Sequence, residues 1–406
     1  MKNPQLRRDI QIVPVTIEGR QMFTFVDPFG MAQRGFAVDA GVIHVLQLLD
    51  GKHDLRDIQM TIMRQQEGSL VPLAEIEAFV DKLDNALLLE SESFLERKQA
   101  LYAEFALQTD RPASHAGISY DADPERLRQF IREIENALPS IEKDYTGAQI
   151  AGVLAPHIDV QVASWVYVDL YRRLKGKHYS HAIIFGINHQ GAEGLFSISA
   201  KNYTTPLGKL NTDRDFVAEL KEHVPEGTFA SSDFDHKMEH SIEFQTIFLH
   251  YFLGDSIKIV PILCGGIHEF LFLKTDPFAD SRIRGMLGAL GGLIDTAGGD
   301  VLLVAGVDFS HIGLKFGHSM PAGAMLSRAL ANDRNIIGFL ERCDPAGLFA
   351  NALENQDQYN VCGLPAMLIF SSLLKGCTAD LFAHETYDEQ ATQSAVTYAS
   401  MLFSRS

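Results

Sequence analysis

Short apolar runs alternate with longer amphipathic stretches over most of the chain after residue 124. The short runs are rich in β-branched residues and predict buried strands, whereas the longer stretches repeat their apolar residues at helical spacing. Strands that alternate with helices are typical of a layered α/β domain built around a largely parallel sheet. The predicted strands are Ile150–Leu154, Ala182–Ile187, Ile257–Leu263 and Val301–Val307, and the predicted helices are Glu125–Leu138, Val162–Leu174, Asp213–His223, Met238–Phe252, Arg282–Ala297 and Ala322–Glu341.

The first hundred residues show a different order of elements, with short strands before a group of three amphipathic helices. This order predicts a small α+β unit similar to a winged helix. The predicted elements are strands at Ile12–Val15 and Met22–Val26, a turn at residues 27–30, a helix at Ala40–Leu49, helices after the Asp54 cap and after Pro72, and a strand at Leu87–Ser91.

A segment rich in Pro, Gly, Ser and Asp separates the two patterns at Gln108–Asp123. This composition interrupts helices and strands and marks a connection. The length agrees with a division, because a chain of 406 residues is longer than one hydrophobic core usually fills. We therefore predict two domains, residues 1–108 and residues 109–406.

The chain is acidic, with a formal net charge of −17 at pH 7. An acidic surface repels a phosphate backbone, so we expect no binding to nucleic acid. No apolar run reaches the roughly 18 residues of a membrane span, and the first residues lack an apolar segment of signal-peptide length. The four cysteines are scattered without a CxxC pair, which is typical of a reduced protein. We expect a cytoplasmic location without membrane association.

Polar side chains follow three of the predicted strands in the second domain. His157 follows the first strand, His189 follows the second, and Asp308 and His311 follow the last. A single histidine at a strand end is usually a surface residue. Three such endings in one sheet indicate more, because the carboxyl ends of parallel strands meet at one edge, where ligands bind. The pattern predicts a shared polar site.

The chemistry of these residues favours a metal site. Imidazole is the commonest metal ligand and the usual acid or base near neutral pH. Imidazoles combined with one thiolate or carboxylate, with coordination positions left open, suit iron, zinc or copper. Asp308 has three roles open to it: a metal ligand, an acceptor that fixes a histidine tautomer, or a cap of the segment after the strand.

Two further groups are candidates for the same site. Glu239, His240 and Glu243 begin an otherwise apolar helix and can share one face. They are either proton carriers and partners of a metal ligand, or a solvated first turn favoured by the helix dipole. Cys362 precedes the apolar helix Ala366–Leu374 and is either a small core residue or a thiolate favoured by the helix start and by a metal. The chain contains no GxGxxG or GxSxG motif, so nucleotide-binding and serine-hydrolase chemistry have no support.

At these positions residues 110–403 resemble the Memo family, also called protein B of the bacterial and archaeal AmmeMemoRadiSam system. The resemblance begins at Arg111–Gly117 with Tyr120 and is specific because its motifs keep the family's order and spacing. The motifs that follow are Ala155-Pro156-His157, Asn188-His189, Glu239-His240-Ser241-Ile242-Glu243, Asp308-Phe309-Ser310-His311 and Val361-Cys362-Gly363.

The resemblance implies a fold similar to that of the extradiol ring-cleaving, non-haem iron dioxygenases. It also implies that His157, His189 and Cys362 match the positions that bind iron or copper in the family. A radical-SAM protein is the partner that the name of the system implies. The residues that match the rest of the pocket, and to which we assign catalytic roles in proton handling, are Asp308, His311, Glu239 and His240.

Residues 9–100 resemble the PqqD-type winged helix, which is a peptide-binding module. The residues that carry this resemblance are Val26-Asp27-Pro28-Phe29-Gly30, Leu49-Asp50-Gly51 and Leu87-Leu88-Leu89. Such modules add a peptide as an extra strand at an exposed sheet edge. The resemblance therefore implies a peptide or protein partner for the first domain.

These observations leave two functional hypotheses. In the first, the protein is a metal-dependent oxidoreductase with a dioxygenase-like fold, and its iron or copper ion keeps a position open for oxygen or a substrate. In the second, it is a non-catalytic metal-binding or scaffold protein with a closed metal site and grooves for a partner. We prefer the first, although the residues identify neither a substrate nor a reaction.

Overall fold

The computed structural model describes residues 2–27, 29–33, 35–65, 70–143, 145, 147–190, 194–298 and 300–405. Pro28, which belongs to the turn predicted at residues 27–30, lies outside these residues. The chain divides into two compact units, Met1–Leu107 and Gln108–Ser406. The domain boundary predicted from the sequence lies between residues 108 and 109.

In its described residues, the first unit combines an antiparallel sheet with four helices around a small apolar core. The strands follow one another in the sheet, in the order in which they occur along the chain. The carboxylate of Asp54 accepts two backbone N–H groups and thus caps the second helix as predicted. The strands are β1 (Gln11–Ile17), β2 (Arg20–Val26) and β3 (Ala37–Asp39), and the helices are α1 (Ile43–Leu48), α2 (Leu55–Gln65), α3 (Leu73–Asn85) and α4 (Glu92–Leu107).

Three features of this unit differ from the sequence prediction, the first being strand β3, which is absent from the predicted elements. The segment Leu87–Ser91 is not a strand, because Leu87 has a left-handed φ of 57° and only an isolated bridge joins Leu89 to Leu6. Helix α4 is absent from the predicted elements, since exposed apolar residues such as Leu95 and Leu107 obscure its buried face.

A buried arginine holds the turn after β2. The Arg7 guanidinium donates to the Asp27 carboxylate at 3.0 Å, and its side chain is fully buried. Asp27 also accepts the backbone N–H groups of Phe29 and Ala32 at 2.9 and 2.6 Å. Asp27 of the motif therefore has a structural role within the unit.

The second unit is a mixed α/β domain in which helices flank a central sheet, as predicted. No helix in the described part of the chain is both long enough and apolar enough to cross a bilayer. Its strands are β4 (Asp110–Arg111), β5 (Gln149–Ala155), β6 (His181–Ile187), β7 (Phe196–Ile198), β8 (Asn202–Thr205), β9 (Gly208–Leu210), β10 (Lys258–Cys264), β11 (Val301–Gly306), β12 (His311–Gly313), β13 (Cys377–Glu389) and β14 (Ser394–Arg405). Its helices are α5 (Pro124–Ala137), α6 (Ser164–Tyr171), α7 (Arg214–Glu222), α8 (His240–Leu253), α9 (His268–Leu273), α10 (Ser281–Thr296), α11 (Leu326–Glu341), α12 (Pro345–Asn355) and α13 (Leu364–Leu373).

The central sheet has eight strands in the order β12-β14-β5-β11-β6-β10-β7, with β13 paired to β14. Strands β5, β11, β6 and β10 are parallel to their neighbours in this group and correspond to the four predicted strands. Strands β14 and β7 run antiparallel to β5 and β10. The prediction of a largely parallel sheet thus holds for the centre, whereas the long β13–β14 hairpin makes one side antiparallel.

Both faces of this sheet are buried. In β11, Leu302 and Val304 belong to one core, which includes side chains of α6 and α8. Leu303 and Ala305 belong to the other core, which includes side chains of α10 and α13. Strands covered on both faces read as continuous apolar runs, which explains why these four are visible in the sequence.

Candidate metal centre

Three parallel strands bring their carboxyl ends to one edge of the sheet. Strand β5 is followed by His157, β6 by His189 and β11 by Asp308, and β11 lies between the other two strands. Cys362 reaches the same place from the loop before α13. One ligand atom from each of His157, His189 and Cys362 lies within 4.8 Å of the others, a spacing that suits a single metal ion.

The position of Cys362 depends on the glycine that follows it. The Cys362 Sγ atom lies 3.4 Å from His157 Nε2 and 3.8 Å from the Asp308 carbonyl oxygen. The Gly363 N–H donates to that same carbonyl at 3.2 Å. A Cβ atom at Gly363 would lie 2.5 Å from the carbonyl oxygen, so the close approach requires glycine.

Hydrogen bonds at Nδ1 make Nε2 the nitrogen that His157 and His189 can each offer to a metal. His157 Nδ1 donates to the Gly306 carbonyl at 3.0 Å, and His189 Nδ1 donates to the Glu239 carboxylate at 3.0 Å. A carbonyl or carboxylate on one ring nitrogen fixes the tautomer and the ring orientation, as is usual for metal-binding histidines. The donor set therefore fits a transition metal such as iron, copper or zinc.

Of the three candidate ligands, His157 has the protonation state that metal binding needs, whereas His189 and Cys362 would each lose a proton to the metal. Burial lowers the pKa of His157 to about 3, with a smaller contribution from His189, so its imidazole is neutral at neutral pH. Burial also lowers the His189 pKa, but the Glu239 carboxylate outweighs it and the net pKa is raised. Burial and the Asp308 carboxylate raise the pKa of Cys362 well above its ordinary value. A bound cation is what would favour the thiolate at this position.

Glu239 connects two imidazoles at the start of α8. It is the N-cap of this helix and accepts the Ser241 N–H at 2.9 Å. Its carboxylate also lies 3.0 Å from His189 Nδ1 and 3.3 Å from His240 Nδ1. Burial raises the pKa of Glu239, but the imidazoles outweigh burial and hold the net pKa well below its usual range. Glu239 is therefore an ionised partner of His189.

His240 lies beside both candidate ligand histidines. Its ring centroid is 4.9 Å from that of His189, in a stacked arrangement, and 5.2 Å from that of His157. Burial lowers its pKa to about 3 although Glu239 opposes the change. His189, Glu239 and His240 form a second group of closely spaced donor atoms that shares His189 with the first.

Asp308 contacts both the backbone and the ring of His157. Its Oδ1 atom accepts the backbone N–H groups of His157 and Ile158 at 2.9 and 3.2 Å, and its Oδ2 atom is 3.6 Å from His157 Nε2. Burial raises the Asp308 pKa to about 6, although His311 and the backbone N–H groups oppose this. Asp308 thus orients the chain at His157, and it gains or loses a proton close to neutral pH.

His311 lies near the site but outside both groups of donor atoms among the described residues. Its Nδ1 atom is 3.2 Å from the Phe309 carbonyl oxygen, and its ring is edge-on to Phe316 at 4.9 Å. Burial lowers its pKa, with partial opposition from Asp308. The neighbouring Ser310 hydroxyl donates to Asp333 at 2.6 Å, which anchors the segment that carries Asp308 and His311.

Glu243 has other partners than Glu239 and a different role. Its fully buried carboxylate lies 2.5 Å from the equally buried Arg111 guanidinium. It accepts the Ser114 hydroxyl at 2.7 Å, the His115 N–H at 2.9 Å and the Tyr120 hydroxyl. Burial raises the Glu243 pKa, but Arg111 together with His115 and Tyr120 outweighs burial, and the net pKa is lowered. Glu243 thus anchors residues 111–120. The sequence signal for this contact is that an acid in an apolar helix needs hydrogen-bond or ionic partners when it is buried.

A cavity of about 860 Å³ opens beside the candidate metal centre. His189, His311 and Cys362 line its inner part, whereas His157 is 2% exposed and does not line it. The remaining lining is apolar and polar side chains from α9, α12, the loops that follow them and the short segment after β12: His268, Leu271, Phe272, Lys274, Phe316, Leu353, Gln356, Asp357 and Asn360. Among the candidate ligands, His189 and Cys362 are therefore reachable through this cavity.

Comparison with known proteins gives consistent matches to one family. A family model described as "Memo-like protein" matches residues 111–402. A MEMO1 family protein of Aquifex aeolicus is 29% identical over 391 residues, which cover 94% of this chain and 96% of the relative. MEMO1 family proteins of Thermococcus kodakarensis and Methanobrevibacter smithii are 26% and 29% identical, and they match 71% and 72% of this chain over 98% and 99% of their own lengths. The bacterial match is longer than the second unit and includes part of the first, whereas the archaeal relatives have the length of the second unit alone.

Proposed function

The chain belongs to the Memo family, and on that premise we propose that its second unit holds an iron or copper ion and acts as a non-haem oxidoreductase. The ligands in this proposal are His157, His189 and Cys362. The observation that carries it is their convergence at one sheet edge, with donor atoms within 4.8 Å of each other. The hydrogen bonds on both Nδ1 atoms add support, because they leave the Nε2 lone pairs available.

An enzyme is favoured over a closed metal-storage site because the donor atoms can be reached. The His189 side chain is 32% exposed, and Cys362 lines the adjacent cavity. Structural metal sites are closed by protein ligands, whereas catalytic sites keep a position open. When bound, iron or copper would supply electron transfer and a coordination position for a substrate donor atom.

The surrounding side chains have separate tasks in this proposal. Glu239 accepts the His189 Nδ1 proton and holds the ring in position. Asp308, with a pKa of about 6, can release or accept a proton beside the centre near neutral pH. Burial lowers the pKa of His240 and of His311, so both imidazoles are neutral near neutral pH and can accept a hydrogen bond from a bound substrate.

For the fold and the partners we propose what the family resemblance implies. The α/β unit would be similar to extradiol non-haem iron dioxygenases, and a radical-SAM protein would act in the same system. The first unit would be a PqqD-like winged helix that binds a peptide or protein. Within the described residues β1 pairs only with β2, which supports this role because an edge strand can accept a peptide strand.

Metal analysis of anaerobically purified protein tests the centre. We expect bound iron or copper in the wild type and a large loss in His157→Ala, His189→Ala and Cys362→Ser. His223→Ala and Cys377→Ser are matched controls, because these residues lie outside the donor groups. Unchanged metal content in all three ligand variants would refute the proposed centre.

The first unit has its own test. A peptide pull-down with the full chain should capture specific peptides. A proline in β1, at a residue whose backbone N–H points away from β2, should abolish capture, because proline has no N–H to donate to an added peptide strand. The same substitution should leave metal content unchanged. Preference for random duplex DNA over every peptide would refute the peptide-binding role.

A further inference from the structure

The cavity beside the metal centre has a lining that indicates the class of molecule it binds. Four of its residues, Leu271, Phe272, Phe316 and Leu353, are large and apolar. Its volume of about 860 Å³ lies within the range of small-molecule sites, roughly 300 to 1,000 Å³. An ion alone needs neither this volume nor an apolar wall. The lining therefore fits an organic molecule with a sizeable apolar body.

The charges around the cavity are unequal. The only carboxylate among its described lining residues is that of Asp357, which lies 3.3 Å from His268 Nε2. Lys274 also lines the cavity, and it makes no ion pair with any residue that the structure describes. In a chain with a net charge of −17, an unpaired lysine at a cavity is a site for an anionic group.

The backbone of the cavity wall is held in an unusual conformation. Among the described residues, eight that are not glycine have a positive φ. Four of these eight line this one cavity: Lys274, Gln356, Asp357 and Asn360, with φ between 46° and 55°. Lys274 and Gln356 are the C-caps of α9 and α12, where a left-handed residue commonly ends a helix. Asp357 and Asn360 lie in the loop before Cys362, where left-handed backbone at residues other than glycine is uncommon and concentrates at functional sites.

Side-chain contacts explain how this wall is kept in place. Asn360 Nδ2 donates to the carbonyl oxygens of His311 and Phe316 at 3.3 and 3.1 Å. Asp357 accepts the Val361 N–H at 3.0 Å, directly before Cys362. These hydrogen bonds hold the part of the cavity wall at Asp357 and Asn360 together with the segment that carries the candidate ligand Cys362.

We infer that this cavity binds an organic anion whose apolar body packs against Leu271, Phe316 and Leu353 and whose anionic group pairs with Lys274. The inner end of the cavity presents His189, His311 and Cys362. A molecule bound in this way extends from Lys274 toward the candidate metal ligands. The inference rests on the proposed function, because it describes the substrate class of the same site.

Two fluorescent probes with the same body test this inference on the full chain. One is 8-anilinonaphthalene-1-sulfonate, which is anionic, and the other is N-phenyl-1-naphthylamine, which is neutral. Lys274→Glu should weaken binding of the anionic probe by at least about tenfold and leave the neutral probe unchanged. Lys221→Glu, an equal charge change on an exposed residue of α7, should leave both probes unchanged.

Leu271→Trp fills the cavity and should weaken both probes by a similar factor. Leu271 does not line the neighbouring cavity to which Lys274 and Leu353 also contribute, so this variant identifies which cavity is occupied. Leu271 packs against the core, so its substitution can also disturb folding. Phe272 is exposed, and Phe272→Glu is therefore a second variant, whose added negative charge should selectively weaken binding of the anionic probe. Anionic-probe affinity that is unaffected by Lys274→Glu and Phe272→Glu would overturn the inference.

Metal content, measured on the same samples, separates the two proposals. Normal metal content without probe selectivity would overturn the ligand class and leave the metal centre supported. Probe selectivity in a protein that holds no iron or copper would support the ligand class and refute the metal centre.

Discussion

Substitution of Glu243 by glutamine should destabilise the second unit strongly. The change keeps the size of the side chain and removes one charge. It leaves the Arg111 guanidinium, which is fully buried, without its anionic partner. It also replaces one carboxylate oxygen by an amide donor among N–H and O–H groups from Ser114, His115 and Tyr120. Several donors would then compete for one acceptor.

The magnitude follows from the burial of the pair. Removal of one partner from a buried ion pair costs about 3 to 5 kcal/mol, because the other charge stays buried and unpaired. Both side chains have an exposed fraction of 0%, so solvent screening does not reduce this cost. Arg111→Met should be similarly harmful, while Arg111→Met combined with Glu243→Leu should lose less than the sum of the single losses.

Urea unfolding followed by tryptophan fluorescence measures this change in the correct unit. The chain has one tryptophan, Trp165 on α6, so the signal reports the second unit and not the first. Asp121→Asn is the control, because it breaks the exposed pair with Arg126 and should cause no resolvable change. A Glu243→Gln protein with the same urea midpoint as the wild type would refute the reasoning.

The same pair gives a pH dependence with a definite sign. The net pKa of Glu243 is lowered in the folded protein, since Arg111 together with His115 and Tyr120 outweighs burial. The unfolded chain therefore binds a proton at this residue, near pH 4.3, before the folded chain does. Stability from the pair is present above this pH and is lost as the pH falls below it. The stability difference between wild type and Glu243→Gln should shrink in acid, and a constant difference would contradict the assignment.

Two further predictions concern the metal centre. Glu239→Gln should weaken metal binding by about 10- to 100-fold in chelator competition, because the carboxylate that orients His189 is lost, while Glu219→Gln on the exposed face of α7 should have no effect. Gly363→Ala should lower both metal content and thermal stability, because its Cβ would lie 2.5 Å from the Asp308 carbonyl oxygen; a variant with normal values would show that this close approach is not required.

The parts of the fold that the sequence predicts are those with a local signal. The four central strands are visible because both of their faces are buried. The β13–β14 hairpin is not visible, since β13 is a half-exposed strand with many polar residues and β14 mixes small and polar residues with apolar ones. Its pairing with β5 joins residues more than 200 positions apart, and such contacts leave no periodic pattern.

The candidate site shows the same division. The positions of His157 and His189 can be predicted because each directly follows an apolar run. The contacts that fix their rings cannot be predicted in this way. His157 Nδ1 pairs with a carbonyl 149 residues away, and His189 pairs with a carboxylate 50 residues away. These partners are set by the packing of α8 and β11 against the strand ends, which only the folded chain defines.

The two acids at the start of α8, Glu239 and Glu243, show why the contacts of Glu243 with residues 111–120 matter for the metal centre. Glu239 and Glu243 are four residues apart, yet Glu239 contacts the imidazoles and Glu243 contacts Arg111. Arg111 links them, because its Nη2 atom also donates to the Glu239 carbonyl at 2.7 Å. A change at Glu243 that frees Arg111 therefore loosens the backbone of the residue that orients His189. For this reason Glu243→Gln should lower metal affinity even where the protein is fully folded, although Glu243 belongs to neither group of donor atoms.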